Sequence, residues 1–315
     1  GVSTSVRLGS HLTALGDVRM ENTAAPRPYA LYLRYAPFSH RAFDIQAGRI
    51  PPTFGAFPRR AYSADNLLIG YPLAYQYLTS LRDDAVPSTP DDLIRMRGRG
   101  WLSSFPIGNP TPEAGLPLAN ANTWDTGVQA HAGFGWLDVA ASATTGSLAD
   151  PRTKDNNTGR QVAARVSAHP IIGFVVGASF SRAPYVDTAT AEAAHATAAS
   201  FTQRAAGADV EYSRAHYLLR AELVTSTFRL ATIAPALHAT AVFAEGRYKF
   251  TPRAHAALRL EHLGFNTVTG PARTGTWDAP VSRVELGGGY NLLRSEEHTS
   301  ELQSLRHLVC RLLLE

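Results

Sequence analysis

Ala206–Leu223 reads AGADVEYSRAHYLLRAEL. Ala206, Ala208, Val210 and Tyr212 alternate with Gly207, Asp209 and Glu211. After Ser213–His216, Tyr217, Leu219, Ala221 and Leu223 alternate with Arg220 and Glu222. A helix repeats its apolar positions every three or four residues; alternation at period two instead gives an extended strand one apolar and one polar face. Two such strands joined by a short polar turn make an antiparallel hairpin.

The same pattern recurs along the chain and predicts twelve strands, at about 4–14, 27–35, 42–49, 124–132, 136–145, 160–168, 174–182, 203–212, 217–227, 239–250, 254–263 and 281–292. The connections alternate in length. Short ones at 36–41, 133–135, 169–173, 213–216 and 251–253 take turns with long ones at 15–26, 49–123, 146–159, 182–202, 229–237 and 264–280. An all-β, antiparallel, up-and-down barrel in an outer membrane has this rhythm, with tight turns on the periplasmic rim and long loops outside. The apolar set (Leu, Val, Ala, Gly, Tyr) suits lipid, and the polar set (Arg, Glu, Asp, Gln, Ser) suits a wet lumen. Aromatics sit near strand ends, at Tyr29, Tyr35, Phe38, Trp124, Trp136, Tyr212, Tyr217, Tyr248, Phe250 and Tyr290, as interfacial girdles do.

Composition agrees. The 315 residues are 44% hydrophobic and only 18% charged, too apolar for a disordered chain. No apolar run approaches the ~18–20 residues of a spanning helix, whereas a spanning strand needs only ~9–11. The net charge is +4, and the cations, all arginine except Lys154 and Lys249, are scattered singly. A nucleic-acid partner needs a clustered basic stripe and is not expected. One cysteine, Cys310, cannot form an internal disulfide framework. The histidines lack metal-ligand spacing, and no nucleophile elbow or phosphate-binding glycine loop occurs. Neither enzyme activity nor a cofactor or metal is expected.

Ile45–Phe57, IQAGRIPPTFGAF, resembles the strand-plus-loop segment of Gram-negative porins of the phosphate-selective class, matching at Gly48, Arg49, Pro52, Phe54 and Gly55, with Thr53 inserted. The resemblance implies an outer-membrane channel, commonly a homotrimer, with a loop folded into the pore. That class is expected to use several lysines, and this chain has two, so phosphate selectivity is not carried over. Arg294–Ser304, RSEEHTSELQS, resembles the in-frame translation of a short-read sequencing adapter. Residues 1–293 are therefore read as the barrel, carrying +5, and 294–315 as a non-native tail that should make few contacts or form a detached helix. The chain starts at Gly1, and its strand count is read as truncated at the C-terminus, with a gap expected between 5–14 and 282–292 and about 14–18 strands in the natural barrel.

The insert 49–123 exceeds an ordinary loop. Ala64–Leu81 has a partly helical pattern. Asp83, Asp84, Asp91 and Asp92 precede Arg95, Arg97 and Arg99, opposed rows that could set a transverse field at a constriction. They could equally be solvated loop charges. Candidate lumen residues are Arg165, Asp209, Glu211, Arg220, Glu222, Glu245, Arg247, Lys249, Arg259, Glu261, Arg283 and Glu285. Glu211/Arg220, Glu222/Arg247 and Glu261/Arg283 are candidate cross-strand pairs. These features describe a porin-like channel in the outer membrane of a Gram-negative-type bacterium, in contact with lipid and passing small hydrophilic solutes or ions. The rivals are a plugged structural or adhesive barrel and a soluble all-β carbohydrate-binding protein, whose apolar faces would meet in a core.

Overall fold

A computed structural model describes residues 2–20, 27–38, 42–61, 66–290 and 308–314. One antiparallel sheet of fourteen strands forms the wall, each strand paired with its sequence neighbours in the sheet. These are β1 (Val2–Arg7), β2 (Leu12–Arg19), β3 (Arg27–Tyr35), β4 (Phe43–Ile50), β5 (Asp125–Phe134), β6 (Leu137–Thr144), β7 (Gln161–Ile171) and β8 (Phe174–Pro184), followed by β9 (Thr202–Arg214), β10 (Tyr217–Arg229), β11 (Leu237–Lys249), β12 (Ala254–Phe265), β13 (Val281–Tyr290) and β14 (Leu308–Leu314). Two small ladders, Ala85–Val86 with Ile107–Gly108 and Thr267–Thr269 with Thr274–Thr276, lie in the long connections.

The wall is apolar outside and charged inside. Leu31, Leu33, Val210, Leu219, Leu223, Leu258, Leu260 and Leu286 are all exposed, Leu31 by 64%. Their neighbours one residue away, including Asp209, Glu222, Arg259 and Glu285, are buried, Arg259 and Glu285 completely. A soluble sandwich would do the reverse, because apolar area leaves water on folding. In a bilayer the same pattern costs nothing on the outside, and the sheet pairs its own backbone groups. The soluble rival fails on this observation. At the rim with short turns, exposed Tyr35, Phe38, Phe134, Trp136, Tyr217, Phe250 and Tyr290 form a belt suited to the interface between headgroups and hydrocarbon.

Three expectations change. The run Ser5–Ala14 is not one strand: it is the hairpin of β1 and β2, with Val6 opposite Ala14 and the turn at Leu8–His11. Val6, Leu8, Leu12 and Ala14 keep the same parity through the turn, so alternation alone runs over it, and Gly9-Ser10 was the signal that marked it. The tail is not wholly detached, because Leu308–Leu314 pairs with Ser282–Gly288. An edge strand offers unpaired N–H and C=O groups to any extended segment, whatever its origin. The helical pattern over Ala64–Leu81 yields only Leu73–Gln76 as helix; it stops because Gly70 and Pro72 break the turn before it, and Ala64 and Asp65 lie outside the described residues. Among the described residues, the first and last strands do not pair with each other, and the sheet is open between them.

Candidate constriction site

The long insert between β4 and β5 turns inward. The motif segment starts it. Arg49 does not reach the lumen; its guanidinium donates to the carbonyls of Trp124 (3.0 Å) and Pro28 (2.6 Å), tying three strand ends together. Pro52 follows in the descending segment, half-buried. Gly48 (φ +128°) lets the backbone pass against Tyr32. Phe54 is buried and enters the space above Gly207, where a Cβ would stand 3.0 Å from its ring. Gly55 has φ +75°, and a side chain there would strike Tyr75 and Glu222. Its N–H donates to Ser179 (3.1 Å). A short 3-10 turn, Phe57–Arg60, follows.

Wall side chains then clamp insert backbone. Glu222 accepts from the Ala56 and Phe57 N–H groups (3.2 and 3.3 Å) and from the Tyr75 hydroxyl (2.6 Å). Glu261 accepts from Leu73 N–H (2.9 Å). Arg259 donates to the Gly70 carbonyl (2.7 Å) and Asn66 (2.9 Å), and Arg283 to the Tyr71 carbonyl and Gln76 (3.1 Å). Phe57, Leu73, Tyr75 and Phe243 pack beside these bonds as part of a buried apolar cluster. The insert therefore leans on β9–β13.

On that side the wall charges form a ladder. Glu211, Arg220, Glu245, Arg259 and Glu285 stand in register on successive strands, alternating in sign. Contacts include Arg220–Glu211 (2.9 Å), Arg259–Glu245 (2.7 Å) and Arg259–Glu285 (3.0 Å). Arg283 pairs with Glu261 as expected. Glu222 does not pair with Arg247. Its direct neighbour is Phe243, and Leu218 faces Arg247, because the β10–β11 loop fixes a register that spacing alone does not reveal. Arg247 is half-buried, and Lys249 is exposed at the turn rim. Arg165 reaches across β8 to grip Asp209 with both nitrogens (2.6 and 2.8 Å). Gly177 permits this; a Cβ there would lie 2.4 Å from the guanidinium.

The insert leaves space on the opposite side. A cavity of 380 Å³ separates the Phe57–Arg60 turn from β5–β7. Arg59 and Arg60 face it from the insert; His131, Asp138, Arg165 and His169 face it from the wall. Arg60 is paired with Glu211 (2.7 Å). Arg59 makes no hydrogen bond or ion pair among the described residues and is open to the cavity's water. Enclosure by the wall, and then the charge of Arg165, lowers its pKa from the ordinary arginine value. Neither Arg59 nor Arg60 was picked out in the sequence; Pro58 next to two arginines, just after the Phe54-Gly55 turn, was the available signal.

The expected charge rows lie elsewhere. Asp91 accepts from Ala272 and Arg273 N–H in the outer loop before β13 (3.0 and 2.9 Å). Asp92 belongs to the capping box of the helix Pro90–Arg95 and touches Arg95 (3.5 Å). Asp84 binds Arg82 (2.8 Å) and Asn109 (2.7 Å). Asp83 binds Arg152. Arg95, Arg97 and Arg99 are exposed. These residues join outer loops and cap a helix rather than opposing one another across a lumen, since each carboxylate finds a local donor. Burial, and then the Asp150 charge, lifts Asp83 to about pKa 6 against the pull of Arg152.

No protein-family model matches the chain, and no curated protein matches it in sequence. Solved structures share its shape. OmpT, an outer membrane protein of Vibrio cholerae in its trimer form, aligns at TM-score 0.54 and 12% identity, over 93% of this chain and 75% of that one. The outer membrane channel DcaP of Acinetobacter baumannii aligns at 0.51 and 9%, over 93% and 73%. The fold is that of an outer-membrane β-barrel. An anion-selective porin from Comamonas acidovorans aligns at 0.50 and 12%, over 92% and 73%. This β-barrel fold, the outward apolar band and the aromatic belt agree with one another.

Proposed function

We propose that the chain is a porin-like channel of a Gram-negative outer membrane, passing small hydrophilic solutes or ions by diffusion. The observation that carries this is the water-accessible cavity between Phe57–Arg60 and β5–β7, inside a wall whose buried charges, among them Arg165, Asp209, Glu245 and Arg259, face inward. The insert is the constriction element, and its first turn, not the Asp/Arg rows further on, forms the narrow edge. The charge ladder on β9–β13, three glutamates to two arginines, is closed by Arg60 from the insert and supports that insert. With Arg60 held by Glu211 and Arg165 by Asp209, the uncompensated charge on the path comes from Arg59 and the side chains opposite it. A homotrimer is proposed as the assembly, supported by the trimeric form of the Vibrio cholerae neighbour.

The test is conductance of the refolded full chain in planar bilayers. Stepwise ohmic insertions that fall when Ala140, on the cavity wall, is enlarged to Trp support the channel. Well-inserted, heat-resistant protein with no conductance and no uptake of small sugars into vesicles would instead establish a plugged barrel.

A further inference from the structure

His131, Asp138 and His169 stand on the consecutive strands β5, β6 and β7 and meet over the cavity. His169 Nε2 lies 2.9 Å from one Asp138 oxygen, and His131 Nε2 lies 3.7 Å from the other. The second nitrogen of His131 is 3.4 Å from Asp44, which also holds Arg34 (2.8 Å). Each imidazole therefore faces carboxylate on the wall. The cavity opens across to the unpaired Arg59.

We infer that this triad makes the cavity a proton-switched binding station for a small anion, a halide or a carboxylate, held at Arg59. The inference rests on the channel reading and names what that path favours. The charged groups facing the triad are Arg34 and Asp44 from β3 and β4, and Arg165 with its partner Asp209 from β7 and β9. Arg59 and Arg60, the latter with Glu211, face it from the insert. Four guanidiniums and four carboxylates, Asp138 included, cancel when both imidazoles are neutral. Asp138 is then the carboxylate left to offset Arg59 across the water. Histidine gains its charge between roughly pH 8 and 5. Two protons on His131 and His169 bind Asp138 from both sides; Asp44, on the far side of His131, is already held by Arg34. The station then carries two positive charges more, and the Arg59 guanidinium is left for an anion. Charge in a cleft with low-dielectric walls raises the local concentration of the opposite ion.

The test uses the full chain and chloride as the probe. The reversal potential in a KCl gradient gives the chloride-to-potassium permeability ratio at pH 8 and at pH 5. The expected ratio is about threefold or more higher at pH 5, the size of effect that one or two charges exert across a few ångströms of water-rich space. His131→Gln with His169→Gln should flatten that response, and Arg59→Gln should lower the ratio at both pH values. Asp83 also titrates in this window, but in an outer loop, and its effect would survive the histidine substitutions. An unchanged pH response in the double histidine variant overturns the inference. Line broadening of chloride-35 resonance in micelles reads binding without conduction. Broadening that rises at pH 5 and needs Arg59 supports the station even if the channel reading fails; no broadening, or broadening indifferent to Arg59, sinks it.

Discussion

Gly177 and Arg259 show how single residues make a charged interior tolerable. Gly177 supplies only absence, the gap through which Arg165 reaches Asp209. Arg259 is completely buried and uses its donors on Glu245, Glu285, Gly70 and Asn66. Removing one partner of a buried ion network leaves charge without compensation, which costs about 3–5 kcal/mol. Arg259→Met should therefore lower unfolding stability by about that amount in urea titrations of lipid-embedded protein. Asp83 offers a pH test. Its carboxyl has a folded pKa of about 6, above its ordinary 3.8. Its contribution is thus fully present below the unfolded value and is lost as pH rises through 6. Stability of the wild type relative to Asp83→Asn should fall between pH 4 and pH 7; a flat or rising difference would show that Arg152 governs this carboxylate. The inward charges were legible from parity alone at Asp209, Arg259 and Glu285. Which of them touch was legible most directly where a short turn fixes register, as for Glu211 with Arg220 across Ala215-His216; Glu261 with Arg283 was also read correctly, although a long loop joins their strands. Glu222 and Arg247 flank a longer loop, and there the guess failed.

At the scale of elements, the insert and the wall divide the work. Its inward segment carries backbone polar groups that need partners, and Glu222, Glu261, Arg259 and Arg283 provide them. Glu222→Ala removes three acceptor contacts, each to a charged group worth about 1.5–3 kcal/mol. That variant should show faster proteolysis within the insert than the wild type and a larger, noisier conductance. The length of 49–123 and the family resemblance at Phe54-Gly55 offered an inward loop as one of two even readings. They did not disclose which half of it lines the path, because the acidic and basic clusters that looked functional are satisfied by helix capping and by neighbouring loops. The strand Leu308–Leu314 follows a different logic. Its pairing with β13 is backbone pairing at an edge, which places few demands on sequence. With 294–315 read as non-native, its deletion should leave conductance and resistance to heat unchanged; loss of folded protein on deletion would make β14 a genuine wall strand.

For the whole molecule, the central claim is that the barrel is inside out relative to a soluble protein. The alternation in Ala206–Leu223 made this visible from the sequence, and the structure assigns the sides. The direct measurement is a nitroxide scan along β9 and β10 of protein in bilayers, reading collisions with oxygen, which partitions into lipid, against a water-soluble nickel chelate. Labels at Ala206, Ala208, Val210, Leu219 and Leu223 should favour oxygen, with a maximum toward mid-strand. Labels at Gly207, Asp209, Glu211, Arg220 and Glu222 should not. A period of two with that phase is the predicted result; labels at Leu219 and Leu223 as shielded from oxygen as those at Asp209 and Glu222 would contradict it.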